Sequence, residues 1–357
     1  MIKLKKLMAL GVSSLTAMCL FSAVNANASY DCDVNNDGVT NVADAVNITQ
    51  YLVGRYNLAN PDVADFNNDG FVSEADATGI QYLGIGVKKP INADYTPSKP
   101  TTFKVSDVVY KRYNATTGDE IKEYTVEAAP TIGSASSQSI IGNDDREIDY
   151  SHSAICMIEA NDGTKGTGFV ASNNSILTAG HCLMLHGGIK SITFYDSNGN
   201  ETSFKPKAID YSIPKNYSGS GTTDYALITV SDDLSAYNNL YMGYALQYAI
   251  DIQANVYVTG YQRLTDDKKN PIYNTPSNVP KMRTGMGRLE SDSTIGKLLY
   301  SCDALKGSSG GPIYADLMFE GKHYYTVVGI NTTGFDDYNS GVRMCPNITN
   351  LIRNNLN

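Results

Sequence analysis

Basic side chains are in short supply here: 28 Lys and Arg stand against 37 Asp and Glu, a formal net charge of -9 over 357 residues. That balance argues against nucleic acid and anionic membrane as partners, since either requires a basic surface. Long apolar runs are missing as well, apart from one at the amino terminus, so no later segment is suited to cross a bilayer. Histidine is scarce, with four in the chain, which leaves imidazole chemistry few places to reside. Cysteine is sparse, and beyond the amino-terminal run the count is odd: Cys32, Cys156, Cys182, Cys302 and Cys345. Intrachain pairing therefore leaves one thiol over.

The exceptional amino-terminal run follows Lys3, Lys5 and Lys6, extends from Leu7 to Val24, and ends in Ala26-Asn27-Ala28, a small-x-small cleavage pattern. Residues 1–28 read as a removable secretory signal. A membrane anchor is the alternative, but Ser13, Ser14 and Thr16 interrupt a run already short for a full span. Export places the mature chain where disulfides survive, so its cysteines are candidate bridges. The length suggests about two domains.

Between Asp33 and Asp76 one pattern occurs twice. Asp33, Asn35, Asp37, Val39, Asn41 and Asp44 occupy positions 1, 3, 5, 7, 9 and 12 of a loop with Gly38 at position 6. Asp65, Asn67, Asp69, Phe71, Ser73 and Asp76 repeat it around Gly70. Side-chain oxygens, one backbone carbonyl at position 7 and a glycine at the sharp turn are what a 12-residue calcium loop requires. Asp replaces the usual Glu at position 12. Each loop is followed by a helical stretch, with Ile48 and Leu52, then Ile80 and Leu83, spaced for a buried face. This loop-helix duplication over residues 30–87 resembles a dockerin, the module that plugs enzymes into cohesins on a cellulosomal scaffold. The resemblance implies two bound Ca2+ ions, a cohesin partner and a secreted protein associated with a scaffold or cell surface. Its cohesin-facing positions would include Val42, Ala43, Thr49 and Gln50 in the first copy.

Residues 88–138 read as a linker and propeptide region. Proline-spaced sequence up to Pro100 would stay extended. Beyond it, Phe103, Val105, Val108 and Val109 give some strand-like alternation without a firm fold. The octet Ser139-Ile140-Ile141-Gly142-Asn143-Asp144-Asp145-Arg146 is similar to the mature start of secreted bacterial glutamyl endopeptidases, so the segment ahead of it reads equally as a propeptide or as a long linker. If the chain is cut near Ser139, the catalytic domain would part from the docking module. If it is not, the enzyme works while tethered.

From residue 139 to 357, helical periodicity is rare and short apolar strands recur between Gly and Asn turns: Ala154 to Ile158, Gly168 to Val170, Ser175 to Thr178, Ala226 to Val230, Asn255 to Thr259, Gly311 to Tyr314 and Tyr325 to Ile330. A short amphipathic helix closes the chain from Thr349 to Leu356. Two motifs stand out: Leu177-Thr178-Ala179-Gly180-His181-Cys182 and Gly307-Ser308-Ser309-Gly310-Gly311-Pro312. Cleavage of a peptide bond by a serine needs a base for the hydroxyl proton, a group that orients the base, and donors for the oxyanion. Both motifs resemble those of trypsin-like serine peptidases, and Thr223-Asp224-Tyr225-Ala226-Leu227 resembles the acid segment between them. The resemblance implies a mostly β fold, a double six-stranded antiparallel barrel preceded by the small α-helical calcium module. It implies His181 as base, Asp224 as orienting acid and Ser309 as nucleophile, with the N–H groups of Gly307 and Ser309 as oxyanion hole. No cofactor is required for that chemistry. It also implies bridges Cys156 to Cys182 and Cys302 to Cys345, leaving Cys32 spare.

Ser308 precedes the nucleophile where trypsin has Asp, so activation by a freed amino terminus pairing with that Asp is ruled out. The glutamyl endopeptidases are the nearest subfamily by motif, yet Ala304 and Asn331 occupy places where a glutamate-binding pocket has Thr and His. Asp303, six before Ser309, would instead favour Lys or Arg. The substrate pocket is expected around Asp303, Ala304, Asn331 and Thr332. The reading is thus a secreted serine endopeptidase that acts on protein or peptide and is held on a scaffold. Its competitor from another class is a trypsin-like barrel of poor turnover that serves as a binding module.

Overall fold

The computed structural model describes residues 32–52, 57–66, 72, 76–77, 79–80, 108–126, 141, 144–184, 186–219, 221–237, 239–243, 253–262, 281–293, 296–319, 322–334 and 338–355. The expected signal (1–28), the proline-spaced segment and the start of the octet at Ser139 and Ile140 lie outside them. The chain divides into two compact units. One comprises Met1–Leu52, Tyr56–Thr102 and Met318–His323; the other comprises Val53–Arg55, Phe103–Leu317 and Tyr324–Asn357.

In the first unit, helix α1 (Val42–Leu52) follows the first repeat loop. Ile48 and Leu52 share one buried cluster with Val34, Leu58, Ala64, Ala77 and Ile80, so the two repeat copies bury their apolar faces against each other. A helix as short as α1 is marginal alone in water, and the duplication supplies a partner for its apolar face. Val42, Ala43, Thr49 and Gln50, expected to face a cohesin, are buried in this structure.

The second unit is mostly β. Strands β1 (Val108–Asn114), β2 (Glu120–Val126) and β3 (Glu147–Ile148) come first. Then follow β4 (Ile155–Ala160), β5 (Lys165–Ser172), β6 (Ser175–Thr178), β7 (Ile189–Phe194), β8 (Ala208–Pro214) and β9 (Ala226–Val230). After β10 (Tyr241–Met242) come β11 (Asn255–Gln262), β12 (Lys281–Arg288), β13 (Lys297–Tyr300), β14 (Pro312–Phe319), β15 (Lys322–Gly334) and β16 (Asn339–Arg343). Helix α2 (Pro346–Asn354) closes the chain, starting earlier than its periodicity suggested, with Pro346 in the first helical turn where its missing N–H costs nothing.

The sheet orders are β2-β1-β8-β9-β6-β5-β4-β7 and β13-β16-β15-β14-β11-β12-β3. Numbering β4 to β9 and β11 to β16 each from first to sixth, both sheets have the same ring of neighbours, 1-2-3-6-5-4. Each is opened at a different place. The second closes through a bridge between Leu289 and Tyr300 at the ends of β12 and β13. The expected double six-stranded architecture is therefore present, with additional strands on both sheets: β1 and β2 on the first, β3 and β10 on the second.

The hairpin β1–β2 falls in the region expected to be linker or propeptide. Its β1 pairs antiparallel with β8, Tyr110 opposite Pro214 and Asn114 opposite Asp210, so the β unit begins ahead of Ser139. Sequence alternation is weak here because most side chains of β1 are half-buried rather than alternately buried and exposed. The main core cluster fills the first sheet around Phe169, Ile176, Leu227 and Ile228 and continues to Tyr261 and Val327, while a smaller one in the second sheet gathers Val256, Leu298, Tyr300, Cys302 and Ile313.

Candidate active site

β6 is fully buried and delivers the chain at Thr178 into a single 3-10 turn, Gly180–Cys182, that carries His181. A second 3-10 turn, Gly221–Thr223, sets Asp224 just ahead of β9. Because β6 and β9 are hydrogen-bonded neighbours, with Thr178 opposite Ala226, the two turns emerge side by side. Asp224 is fully buried and its carboxylate grips the histidine twice. Oδ2 lies 2.8 Å from the imidazole Nδ1, and Oδ1 accepts the backbone N–H of His181 at 2.9 Å. That double hold fixes the ring plane and assigns the proton to Nδ1, leaving Nε2 to accept one. Burial works against the imidazolium, but the Cys182 sulfur and the Asp224 carboxylate beside the ring hold the His181 pKa well above the ordinary value of 6.5.

Ser309 comes from the other sheet, in the turn between β13 and β14. Its carbonyl accepts the N–H of Thr167 on β5 at 2.8 Å and lies 3.5 Å from the Cys182 sulfur, which seats the serine turn beside the histidine turn. Two glycines permit this approach. Gly307 has φ +106 and a Cβ there would stand 2.3 Å from the Tyr261 carbonyl. Gly310 has φ +83, and its Cβ would stand 2.2 Å from both the Thr167 carbonyl and the Thr178 hydroxyl. Within the turn, Ser308, Gly310 and Gly311 spend their N–H groups on Leu305, Asn331 and Ser308 carbonyls. The N–H of Gly307 has no hydrogen-bond partner among the described residues, as a donor reserved for an oxyanion would.

The four expected pocket residues are all buried, and the three polar ones have side-chain hydrogen bonds inside the protein. Asp303 accepts the N–H of Ile141 through Oδ1 at 2.6 Å and that of Asp145 through Oδ2 at 3.1 Å. Burial pushes its carboxyl up to about 6 against the pull of those two bonds, and nearby Asp145 and Asp144 add to the rise. Asn331 donates to the carbonyl and hydroxyl of Ser308 at 3.0 and 2.9 Å and accepts the Tyr300 hydroxyl at 2.6 Å. Ser308 in turn donates its hydroxyl to the Leu305 carbonyl at 2.7 Å. Asp303 thus anchors the segment around Ile141 and Asp145, and Asn331 buttresses the serine turn. Thr332 donates to the Ser340 carbonyl at 3.4 Å, and Ala304 is enclosed.

Cys156, Cys182 and Cys302 stand unbridged in this structure, which does not show the expected disulfides. Cys156 sits opposite Gly168 on β5, whereas the Cys182 sulfur lies over Gly166, one strand period away. Cys302 belongs to the small cluster of the second sheet, while Cys345 packs against the main cluster. Hydrogen bonds brace the histidine loop. His186 Nε2 reaches the His181 carbonyl at 3.1 Å while its Nδ1 pairs with Asp162 at 2.6 Å. Neither His186 nor Thr167 carries a motif that sequence reasoning could use. Thr167 donates its hydroxyl to the Gly307 carbonyl at 2.8 Å and accepts the Tyr261 N–H at 2.9 Å, tying both sheets to the serine turn. Its flanking glycines, Gly166 and Gly168, were the usable signal, since glycine inside a strand marks close approach of another chain segment. His152 packs edge-on between Tyr314 and Tyr325 and takes no part.

In the first repeat loop, the oxygens of Asp33, Asn35 and Asp37 are folded onto the N–H groups of Asp37, Gly38 and Val39. Buried Asp44 accepts from Val34 and Asn41 across the loop base. Gly38 turns the chain at φ +91. Among the described residues no three His, Cys, Asp or Glu side chains gather on one point; the donor set mixes carboxylates, amides and a carbonyl, all hard oxygens that suit calcium. In the second loop Asp65 and Asp76 are described, whereas Asn67, Asp69, Phe71 and Ser73 lie outside the described residues.

The protein-family model described as Trypsin matches residues 140–353. The chain belongs to the trypsin family. A second family model, Dockerin type I domain, matches residues 31–82, so this trypsin-family chain also carries a dockerin. Among curated proteins it is 27% identical over 208 residues to the glutamyl endopeptidase of Bacillus licheniformis, a match covering 55% of this chain and 61% of the relative. A solved structure of a Glu endopeptidase in complex with MPD aligns with TM-score 0.47 and 17% identity, covering 61% of this chain and 100% of that one.

Proposed function

We propose that this trypsin-family chain is an exported serine endopeptidase that hydrolyses peptide bonds through His181, Asp224 and Ser309 and is attached to a scaffold by its dockerin. The observation that carries the reading is the double hold of buried Asp224 on His181, with the ring at 2.8 Å and the backbone at 2.9 Å. Such a hold serves a base that must present one nitrogen in one direction. In the reaction, the Ser309 hydroxyl oxygen attacks the carbonyl carbon of the scissile bond while His181 Nε2 takes its proton. The carbonyl oxygen becomes an anion, met by the N–H groups of Gly307 and Ser309. His181 then returns the proton to the departing amine, and water hydrolyses the acyl-enzyme by the same route.

The substrate class is protein or peptide. A basic side chain in the pocket loses its main support, because both Asp303 oxygens already hold backbone N–H groups. The dockerin would bind two Ca2+ ions through Asp33, Asn35, Asp37, Val39, Asn41 and Asp44 and through Asp65, Asn67, Asp69, Phe71, Ser73 and Asp76, and would present a folded surface to a cohesin. The ions serve folding and docking, with no role in peptide cleavage.

A fluorophosphonate probe tests the catalytic reading. The matured wild-type protein should be labelled and Ser309→Ala should not; labelling that persists in Ser309→Ala would remove the nucleophile assignment.

A further inference from the structure

The hairpin β1–β2 lies ahead of the expected mature start, yet it is built into the catalytic unit. Along β1, Tyr110 to Asn114 pair with Asp210 to Pro214. The ladder is extended at both ends by Lys215 N–H to the Val109 carbonyl at 2.7 Å and Ala115 N–H to the Ile209 carbonyl at 3.1 Å. The hairpin turn adds further contacts, with Ile189 N–H donating to the Ala115 carbonyl at 2.6 Å and Asn161 Nδ2 to the Thr116 carbonyl at 2.8 Å.

Side chains tie it further. Tyr110, fully buried, shares a hydroxyl hydrogen bond of 2.6 Å with Tyr225, the residue next to Asp224. Burial pushes both hydroxyls far up, so both are neutral and each needs the other as a partner. Tyr113 stacks on Tyr211 with ring centres 5.2 Å apart. Arg112 lies 3.7 Å from Asp210 and donates to Asn355 beyond helix α2 at 3.1 Å, and Lys215 pairs with Glu123 at 2.8 Å. Removal of the hairpin would expose the edge of β8, uncover Tyr211, and strand the Tyr225 hydroxyl beside the catalytic acid. A disposable propeptide would leave no such wound.

We propose that residues 108–126 are a retained clasp of the peptidase, so that cutting the backbone ahead of Ser139 yields a two-chain enzyme whose dockerin-bearing part stays bound. Hydrolysis of one peptide bond there adds one water, giving a carboxylate on the first chain and an ammonium on the second, and breaks none of the contacts named above. Processing and release would then be separate events, and an activated enzyme would remain docked. The proposal goes beyond the assigned activity and does not depend on it.

The test uses the full exported chain carrying Ser309→Ala, with calcium, and a recognition sequence for a site-specific protease inserted between Ala128 and Ser137. After complete cleavage, two bands on a denaturing gel should co-elute at the mass of the intact chain in native gel filtration, and should separate in denaturant. Fragments that part in native buffer would overturn the clasp. A second arm adds Tyr113→Ser, which keeps the backbone ladder but removes the stack on Tyr211. The cut variant should lose its amino-terminal part with a dissociation constant raised about tenfold, and retention equal to the parent would overturn the hairpin as the holding element. The first arm is cut only after folding, so poor folding of the Tyr113→Ser chain does not affect its result.

Discussion

Asp303 and Asp224 are both buried carboxylates within a few residues of a motif, and their partners decide what each does. Asp224 grips an imidazole, while Asp303 caps two backbone N–H groups. Asp303 titrates near 6 in the folded chain against 3.8 as a free carboxyl. The folded state therefore holds the proton more tightly between those values. The contribution to stability is complete below the unfolded pKa and is lost as pH rises through about 6. Asp303→Asn should flatten the fall in melting temperature between roughly pH 4 and 6, as measured by calorimetry; an unaltered slope would reject the assignment. For His181 the sign concerns activity. As the proposed base it would work only when neutral, and its pKa is raised, so kcat/KM should fall on the acid side with a midpoint above 6.5. Asp224→Asn should shift that midpoint downward and lower kcat by about four orders of magnitude, as a pH–rate profile would register.

Among the secondary-structure elements, the proposed catalytic site is a meeting of turns at strand ends. The histidine and acid turns are neighbours because β6 and β9 pair, and the serine turn reaches them because Gly310 lets it lie against β5 and β6. A methyl at that position meets two oxygens at 2.2 Å under a φ that L-residues resist. Gly310→Ala should cost more than about 2 kcal/mol of stability and abolish fluorophosphonate labelling, with denaturant titration as the check; a midpoint equal to wild type would show that the turn tolerates the change. Thr167, His186 and Asn331 brace these turns through hydrogen bonds to Gly307, Asp162 and Ser308, each joining separate segments of the chain. Such brackets leave no mark in a single sequence because their partners are far apart in it.

The complete chain combines two units with different sources of stability. The peptidase unit has two packed sheets and an extensive apolar core. Its dockerin has a small one, with Val34, Ile48, Leu52 and Ile80 among its principal members. Small cores of this kind rely on a bound ion for part of their stability. At a hundredfold excess of free calcium over the dissociation constant, each proposed site would add about 2.7 kcal/mol. A chelator should therefore lower the dockerin melting transition while the peptidase transition keeps its midpoint, which differential scanning calorimetry can resolve. Equal sensitivity of both transitions, or of neither, would contradict the assignment of the ions to the repeat loops.

The features legible in the chain alone are those whose signal is local. The duplicated loops, the strands β6 and β9, and the meeting of His181 with Asp224 could be read because turn glycines, alternating apolar residues and fixed motif spacings lie within a few positions of one another. Features that depend on distant partners had to wait for the fold. It placed the Asp303 carboxylate on the N–H groups of Ile141 and Asp145, set Thr167 between Gly307 and Tyr261, and joined Val108–Asn114 to β8. A side chain's type limits the bonds it can make, but the sheet register decides which of them it finds.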